Sequence, residues 1–454
     1  MILIDSIIFN EYIVIFHIKI ANLNERYDNG IIHYSHIVSI ESHSSSLTTF
    51  GGPISMVLSL ACLIMGGVIY LIFLLRSKHK KRIENELLPK DHTSEVCSLH
   101  IDRIQHKSDP LNDVSSDQIE RVKDLLCNSK REISRDSFKV GDQIGIGNFG
   151  KVYKGTLSGL YGSDSEKTVA IKSISGKKVN EAELTNLLCE IEIMMDVPPH
   201  LNLVSMIASC ASHFETLGEL WLLLEFCQYG DLKNYLTENK EKILSGNAAD
   251  PINSRCLIKW SYDIAKGMQF LSTKGIMHGD LAARNILMAQ NIIRGNEFPI
   301  ATIADFGLSK KFNGYVIYEK KSREFVPWKW MALEYLTKNY FTLSSDVWSY
   351  GVLLWEILSF GRMPYGQQDY DELEEKIESG YRLTCPREAK SIDTWSPETL
   401  FKELSSVCFI SDPDDRGNFS DVVEIIEKQL TSEELTQYSK IKSEYDSKNK
   451  LCQT

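Results

Sequence analysis

The sequence predicts an α+β domain that follows a single transmembrane helix. Three observations support this prediction: a globular composition, an uncharged apolar run near the start, and strand-like alternation followed by helical spacing after residue 138. Hydrophobic residues make up 43% of the 454 residues and charged residues 24%. This balance excludes collagen-like, low-complexity and wholly disordered chains.

Charge and cysteine usage narrow the class of protein further. The formal net charge is -11, which argues against a general nucleic-acid-binding protein because such proteins present a basic surface. The ten cysteines are scattered along the chain, form no CxxC pair and match no zinc-site spacing. We therefore expect reduced, intracellular thiols rather than a disulfide framework.

The apolar run covers residues 54–75 and contains no charged side chain. At 1.5 Å per residue, a helix of this length spans about 33 Å, which is enough to cross a bilayer. Five Lys and Arg residues follow within residues 76–82. Basic residues stay on the cytoplasmic side, so we expect a single-pass plasma-membrane protein whose remaining chain is cytosolic. A buried core helix is the alternative.

Residues 1–53 are predicted to be a short extracellular segment. They contain no cysteine and no N-glycosylation motif, and a segment this small rarely builds a stable core, so no folded ligand-binding domain is expected. Residues 1–21 are apolar but include several polar residues and lack a basic start. A signal peptide, a membrane-peripheral stretch and an incomplete N-terminus all remain open.

Two polar segments flank the central domain at 134–430. Residues 76–133 are predicted to be a flexible juxtamembrane linker, and residues 431–454 a flexible C-terminal tail. Tyr438 and Tyr445 in this tail are candidate docking sites for SH2 domains or adaptors once phosphorylated.

A glycine-rich loop opens the central domain. Gly145, Gly147 and Gly150 have the spacing G-x-G-x-x-G, which dinucleotide-binding folds also use. Those folds need a helix directly after the glycines, whereas residues 152–156 alternate like a strand. The glycines are therefore predicted to lie at a hairpin tip, where bare backbone can cover phosphates. A plain structural turn is the alternative.

A lysine at the end of the next predicted strand could reach the same phosphates. Lys172 follows the strand-like residues 169–171, and a lysine held there needs a counter-charge. The helical stretch that follows supplies four acidic candidates, Glu181, Glu183, Glu190 and Glu192.

Two motifs further along carry the groups that phosphoryl transfer needs. Residues 278–285 read HGDLAARN, and residues 305–307 read DFG. The reaction needs a carboxylate that orients the attacking hydroxyl and hard oxygen ligands for Mg²⁺. Asp280 suits the first task, and Asn285 and Asp305 suit the second. Their order and spacing indicate phosphoryl transfer.

With these motifs, residues 134–430 closely resemble the protein kinase catalytic domain, in its tyrosine kinase branch. The resemblance implies a bilobal fold, with a β-rich N-lobe and a mainly helical C-lobe, and ATP and Mg²⁺ as cofactors. It implies that the loop glycines cover ATP and that Lys172 holds the α/β-phosphates. Glu190 is the implied partner of Lys172, with Glu192 second.

The resemblance also implies roles for the other site residues. Asp280 would be the catalytic base, with Arg284 in the same catalytic set, and Asn285 and Asp305 would bind Mg²⁺. The adenine site would comprise the side chains or backbone of Val152, Ala170, Leu287, Glu225 and Cys227.

Tyrosine specificity is implied by three features of the resemblance. Ala282 stands where serine/threonine kinases usually place a lysine, and Arg284 where tyrosine kinases place an arginine. Residues 327–331, PWKWM, resemble the platform on which tyrosine kinases hold the phenol ring. Tyr318 matches a familiar autophosphorylation position, and Tyr315 is a second candidate.

The sequence departs from the kinase pattern at four places. Gly279 replaces the usual arginine of H-R-D, residues 332–334 read ALE where APE is usual, Gly417 replaces a proline, and Phe409 a tryptophan. The missing arginine normally binds the phosphorylated activation loop, so the change affects regulation rather than chemistry.

The leading hypothesis is a receptor-like transmembrane tyrosine kinase with a very short ectodomain and a kinase domain of the growth-factor-receptor type. It would phosphorylate tyrosines of protein substrates in cell-surface signalling, and dimerisation or a co-receptor would fit that role. The alternative from another class is a catalytically weak pseudokinase that acts as a membrane scaffold, motivated by Gly279. A soluble kinase is a third hypothesis.

Overall fold

The computed structural model describes short strands within residues 2–42 and, further along, residues 115–451 with gaps at 128–130, 148–149, 160–165, 175–180, 246–251, 294–295, 313–317 and 320–326. The chain divides into two compact units, Met1–Ile104 and Gln105–Thr454. The predicted membrane span, residues 54–75, lies outside the described residues. Within the described part of the chain, no helix combines the length and apolar character needed to cross a bilayer.

The first unit contains only short antiparallel strands among its described residues. Its seven described strands form one three-stranded sheet and two hairpins, built from Ile2–Leu3, Phe16–Ile20 and Val38–Ser42, from Ile7–Phe9 and Tyr12–Val14, and from Asn24–Asp28 and Ile31–Ser35. These strands occupy the segment in which no folded ligand-binding domain was expected. Their many β-branched isoleucines and valines suit extended pairing.

The second unit opens with helix α1 (Ser116–Val122), which continues as a π-helical turn over Lys123–Cys127. A 3₁₀ turn at Arg135–Ser137 leads into the sheet strands, which are β1 (Phe138–Gly147), β2 (Gly150–Leu157), β3 (Lys167–Ile174), β4 (Met206–Cys210) and β5 (Leu220–Glu225). They form one antiparallel sheet in the order β4-β5-β3-β2-β1. The predicted glycine-rich hairpin is confirmed as the β1–β2 turn.

Helix α2 (Glu181–Asp196) follows β3 and packs into the core beside this sheet. Its fully buried residues repeat at helical spacing, so one face of the helix is apolar: Leu184, Leu187, Leu188 and Ile191. A single helical turn, Phe214–Leu217, separates β4 from β5.

The remainder is mainly helical, which confirms the predicted β-rich and helical halves. The helices are α3 (Leu232–Leu244), α4 (Arg255–Thr273), α5 (Leu333–Lys338), α6 (Ser345–Leu358), α7 (Tyr370–Glu378), α8 (Pro397–Cys408), α9 (Phe419–Glu427) and α10 (Ser432–Leu451). Three antiparallel strand pairs interrupt them: β6 (Ile276–Met277) with β9 (Lys310–Lys311), β7 (Ile286–Ile293) with β8 (Asn296–Ile303), and β10 (Tyr318–Glu319) with β11 (Tyr340–Phe341). Further 3₁₀ turns cover Ala283–Asn285, Trp328–Trp330 and Arg387–Ser391.

The helical half is centred on α6, every residue of which is buried. Trp260, Trp348 and Tyr350 are among the largest fully buried side chains. Glu334 and Arg416 form an ion pair with two bonds of 2.8 Å, and both side chains are almost fully buried. Because both charges are paired and hydrogen-bonded, removing either partner would leave an uncompensated buried charge.

Both segments predicted to be flexible contain helices. The linker at 76–133 includes α1, whose Val122 is buried, and the following turn, whose Leu126 is buried as well. The tail at 431–454 forms α10, in which Ile441 is buried. A few apolar and aromatic residues at helical spacing are enough to dock these helices, although both segments are polar in composition.

Candidate active site

The glycine-rich turn is shaped by close backbone approach. Gly147 pairs with Gly150 and Gly145 with Val152 across the β1–β2 hairpin. Gly150 has φ 129°, and a Cβ there would lie 2.6 Å from the carbonyl oxygen of Ser173 on β3. No other residue fits without a shift of the backbone, so the glycine brings the hairpin tip against the strand that carries Lys172.

Lys172 is held by two carboxylates. Its Nζ lies 2.5 Å from Glu190 Oε2 on α2 and 3.1 Å from Asp305 Oδ1. The lysine and Glu190 are both buried. The apolar stripe of α2 faces the core and turns Glu190 towards β3, and the structure thereby selects one of the four acidic candidates. Glu192 instead pairs with Arg121 of α1 at 2.6 Å.

The electrostatics of this cluster keep the lysine charged. Burial acts to lower the pKa of Lys172, but the charges of Glu190 and Asp305 outweigh it and raise that pKa above its ordinary value. Burial likewise acts to raise the pKa of Asp305, and the nearby lysine lowers it below its ordinary value. The site therefore presents an ammonium group and an ionised carboxylate side by side.

The loop at residues 278–285 carries Asp280, which lies close enough to Asp305 for the two carboxylate charges to interact. Asp280 forms an ion pair with Arg284, and its backbone oxygen accepts a bond of 2.7 Å from Asn285 Nδ2. Burial raises the pKa of Asp280 to about 6, although the charge of Arg284 acts to lower it. At neutral pH the carboxylate is thus ionised and still able to accept a proton.

Asp346 of α6 fixes the backbone of this loop. Its carboxylate accepts bonds from the N–H groups of His278 at 2.6 Å and Gly279 at 3.0 Å. Gly279 has φ 77°, and a Cβ there would lie 3.0 Å from the Leu308 carbonyl oxygen. These contacts give Asp346 a specific task in shaping the loop.

Glu356, also on α6, joins the loop to the predicted substrate platform. Its carboxylate accepts a hydrogen bond of 3.0 Å from the Ala283 N–H and one of 2.7 Å from Trp330 Nε1. The Arg284 guanidinium lies over the Trp330 ring, 4.4 Å from its centroid. Sequence reasoning missed this role because the glutamate is far from both partners in the chain and sits in an otherwise apolar helix.

The predicted adenine-site residues lie where the sheet meets the helical half. Val152 is opposite Lys172 on neighbouring strands, and Ala170 is opposite Leu224. Leu287 lies on β7, and a backbone bridge joins it to Asp231.

The two residues whose backbone is predicted to contact adenine lie at the end of β5 and just after it. Glu225 is the last residue of this strand, and its N–H donates to the Ser205 carbonyl at 3.0 Å. Cys227 is buried two residues later, and burial raises the pKa of its thiol, which keeps the thiol protonated. The bond from Glu225 ties the end of β5 to the residue just before β4.

The predicted regulatory residues are only partly visible. Tyr318 starts the two-residue strand β10, which pairs with β11, while Tyr315 lies outside the described residues. Met194, Met206 and Phe306 line one small cavity, and the rings of His278 and Phe306 are 5.5 Å apart.

The donor groups at Asn285 and Asp305 fit Mg²⁺. Both can offer hard oxygen ligands, which Mg²⁺ prefers. The Asn285 amide nitrogen is engaged by the Asp280 backbone, so the amide would present its oxygen to a metal. Among the described residues there is no cluster of three or more His, Cys, Asp or Glu side chains suited to a metal. A pair of protein ligands suits a Mg²⁺ ion that is shared with phosphates.

Comparison with known proteins covers most of this unit. Residues 138–426 match the family described as protein tyrosine and serine/threonine kinase. The chain is 34% identical over 322 residues to a fibroblast growth factor receptor of Ciona intestinalis, covering 69% of this chain and 41% of the receptor.

Two further relatives show similar coverage. Identity is 32% over 308 residues to the tyrosine kinase receptor Cad96Ca of Drosophila melanogaster, covering 66% of this chain and 37% of that protein. It is 30% over 406 residues to human platelet-derived growth factor receptor alpha, covering 70% and 35%. The chain thus spans about two fifths or less of the length of these curated relatives.

Proposed function

The chain belongs to the protein tyrosine and serine/threonine kinase family, and we propose that it is an active, receptor-like tyrosine kinase that spans the membrane once. The domain is a protein tyrosine kinase domain related to those of receptor tyrosine kinases. Active catalysis, protein tyrosine substrates and a place in cell-surface signalling are the parts that the proposal adds.

One observation carries the catalytic part of the proposal. The Lys172 ammonium group contacts both Glu190 and Asp305, and these three residues come from β3, α2 and the segment after β8. Such an arrangement holds a positive charge where ATP phosphates would lie under the glycine-rich turn. The family uses ATP, and the backbone after β5 would receive its adenine ring.

The transfer step follows from the positions of the remaining groups. Asp280 orients the tyrosine hydroxyl and accepts its proton as the phenolic oxygen bonds to the γ-phosphorus. The bond between that phosphorus and the β–γ bridging oxygen breaks, and ADP leaves. Arg284 stays paired with Asp280 and fixes its direction. Asn285 and Asp305 would hold Mg²⁺, which supplies charge neutralisation on the phosphates.

The choice of tyrosine is supported by the platform beside the catalytic loop. Trp330 is bound by Glu356 and covered by Arg284, so the segment from Pro327 is held against the loop. Trp328 packs edge-on against Tyr370 at 5.8 Å. A firmly held platform at this depth suits a long phenol side chain better than a short hydroxyl.

The membrane part of the proposal rests on the sequence of residues 54–75 and the basic residues after them. Kinase relatives of this chain are named as receptors, which supports a signalling role at the plasma membrane. Dimerisation, a co-receptor and adaptor proteins would be its partners. The kinase domain would lie in the cytosol.

The test measures phosphotyrosine on a Glu/Tyr peptide polymer, using the purified full chain with ATP and Mg²⁺. A serine-containing polymer runs beside it. We expect signal on tyrosine only, and its loss in Lys172→Met because the phosphate-side charge is removed. Lys139→Met is the matched control, since Lys139 is exposed on β1 of the same sheet.

The possible results separate the proposal from its alternative. Parent and control activity without Lys172→Met activity would support the kinase. If a folded parent binds ATP but phosphorylates no polymer, the chain is a scaffold pseudokinase. Activity that survives in Lys172→Met would show that the assigned phosphate contact is wrong.

A further inference from the structure

Helix α10 lies beyond the part of the chain that matches the kinase family, which ends at residue 426. It is nevertheless fastened to the domain. Arg255 of α4 pairs with Glu434 in its first turn. Farther along, Ile441 packs in a buried cluster with Leu201 and Ile300. The helix therefore reaches from α4 to the segment between α2 and β4.

Tyr438 of α10 makes the most deeply placed contact. Its hydroxyl donates 2.8 Å to Asn202 Oδ1, and Asn202 is fully buried. The amide nitrogen of Asn202 donates 3.2 Å to the Ala301 carbonyl, and its backbone oxygen accepts 2.8 Å from the Ile303 N–H. One buried amide thus connects the C-terminal helix with the last residues of β8.

The end of β8 determines where Asp305 lies. The Ala304 N–H donates 2.9 Å to the Asn285 carbonyl, and the Ala304 carbonyl contacts His278 Nε2 at 3.1 Å. Asp305 itself has φ 64°, a conformation that residues other than glycine adopt only when their surroundings impose it. Bonds on both sides of residues 301–304 provide that constraint.

We propose that Tyr438 is a positioning residue for Asp305, acting through Asn202 and the end of β8. The proposal rests on the function proposed above, because it concerns the site at which Asp305 would meet Mg²⁺ and ATP phosphates. It makes α10 a working part of the catalytic unit, although the helix lies outside the matched region. Without the Tyr438 hydroxyl, the buried Asn202 Oδ1 loses this hydrogen-bond donor, which costs free energy.

A matched variant separates positioning from general stability. Tyr262 of α4 packs edge-on against Tyr438, with ring centroids 4.9 Å apart. Its hydroxyl donates 2.7 Å to Glu427 at the end of α9, so it contacts neither Asn202 nor β8. Tyr262→Phe therefore removes a hydroxyl from the same cluster without touching the path to Asp305.

The experiment compares Tyr438→Phe, Tyr262→Phe and the parent, each as the full chain. ADP affinity is measured with Mg²⁺ and with EDTA, and hydrogen exchange of residues 301–305 is followed without nucleotide. For Tyr438→Phe we expect Mg²⁺-supported affinity to fall by about threefold to tenfold, the range of one hydrogen bond. Affinity in EDTA should stay unchanged, and exchange at 301–305 should accelerate.

Tyr262→Phe should alter neither of these readouts, whatever it does to the melting temperature. If Tyr438→Phe leaves both unchanged, or if the two variants change them equally, the hydroxyl has only a general structural role and the proposal is wrong. If Tyr438→Phe shows both shifts but the parent phosphorylates no substrate, the positioning role stands and the kinase proposal fails. The two proposals can therefore be judged separately.

Discussion

Gly279 illustrates how a single residue shapes the catalytic loop. The kinase pattern has an arginine at this place, but here φ is 77° and a Cβ would meet the Leu308 carbonyl oxygen at 3.0 Å. Asp346 holds the same residue through its N–H group. A side chain here would strain the backbone that carries Asp280. Glycine itself has no side chain with which to contact a phosphorylated loop.

Asp263 of α4 gives a pH prediction at the residue scale. It is buried beside Asn202 and Tyr438, and it accepts 3.2 Å from the Ala301 N–H. Burial raises the pKa of Asp263 to about 8, although Ala301, Lys259 and Asn202 act to lower it. Folding thus favours the protonated form, so this contribution to stability is greatest at low pH and is lost as pH rises through about 8.

We therefore expect Asp263→Asn to stabilise the protein more at pH 9 than at pH 6, because the amide stays neutral. Melting temperatures of parent and variant at both pH values measure this difference. Asp369→Asn is the control: Asp369 is exposed and caps α7, a task that asparagine performs equally well. An equal shift at both pH values for Asp263→Asn would contradict the raised pKa.

At the element scale, the docking of α1 against α2 combines apolar burial with charge. Leu126, in the turn that continues α1, is fully buried. Arg121 pairs with Glu192, but these side chains are 36% and 40% exposed. Water screens exposed ion pairs, so they contribute little to stability. Truncating a buried leucine instead loses the transfer free energy of the removed atoms and leaves a cavity. Apolar contact should therefore dominate.

This comparison gives a prediction with two variants. Leu126→Ala should lower the free energy of unfolding by about 2–5 kcal/mol. Arg121→Ala should lower it by less than about 1 kcal/mol. Chemical denaturation of both variants measures the two losses. A larger loss for Arg121→Ala would mean that charge, not burial, holds the juxtamembrane helix to α2.

The glycine-rich hairpin and the helices α1 and α10 show which elements can be predicted from the sequence and which cannot. The glycine-rich hairpin was predictable because alternation and glycine spacing are local signals. Helices α1 and α10 were not, because their buried residues are few and separated by charged ones. The inward residues of α10 include Tyr438 and Tyr445, whose hydroxyls bond to Asn202 and Ser205. Composition alone described them as exposed docking sites.

At the scale of the whole molecule, most candidate site residues could be proposed from the sequence because they sit in short contiguous motifs. The residues that hold these segments in place could not be predicted in this way. Glu356 and Asn202 bond to segments far away in the chain, and no local sequence pattern marks such pairs. The roles of the site residues stay predictions until substrate or nucleotide is measured. The matched region is also only part of the chain, which leaves the anchoring of the kinase unit to experiment.

The membrane span is the prediction that decides this anchoring. Residues 54–75 contain 22 uncharged residues rich in Leu, Ile and Val, each of which favours insertion by roughly 0.3–0.6 kcal/mol at a helix centre. The full chain should therefore stay in the membrane pellet after alkaline carbonate extraction. A variant lacking 54–75 should move to the supernatant, while one lacking 2–21 should remain in the pellet. Release of the full chain would contradict a spanning helix and favour a soluble kinase.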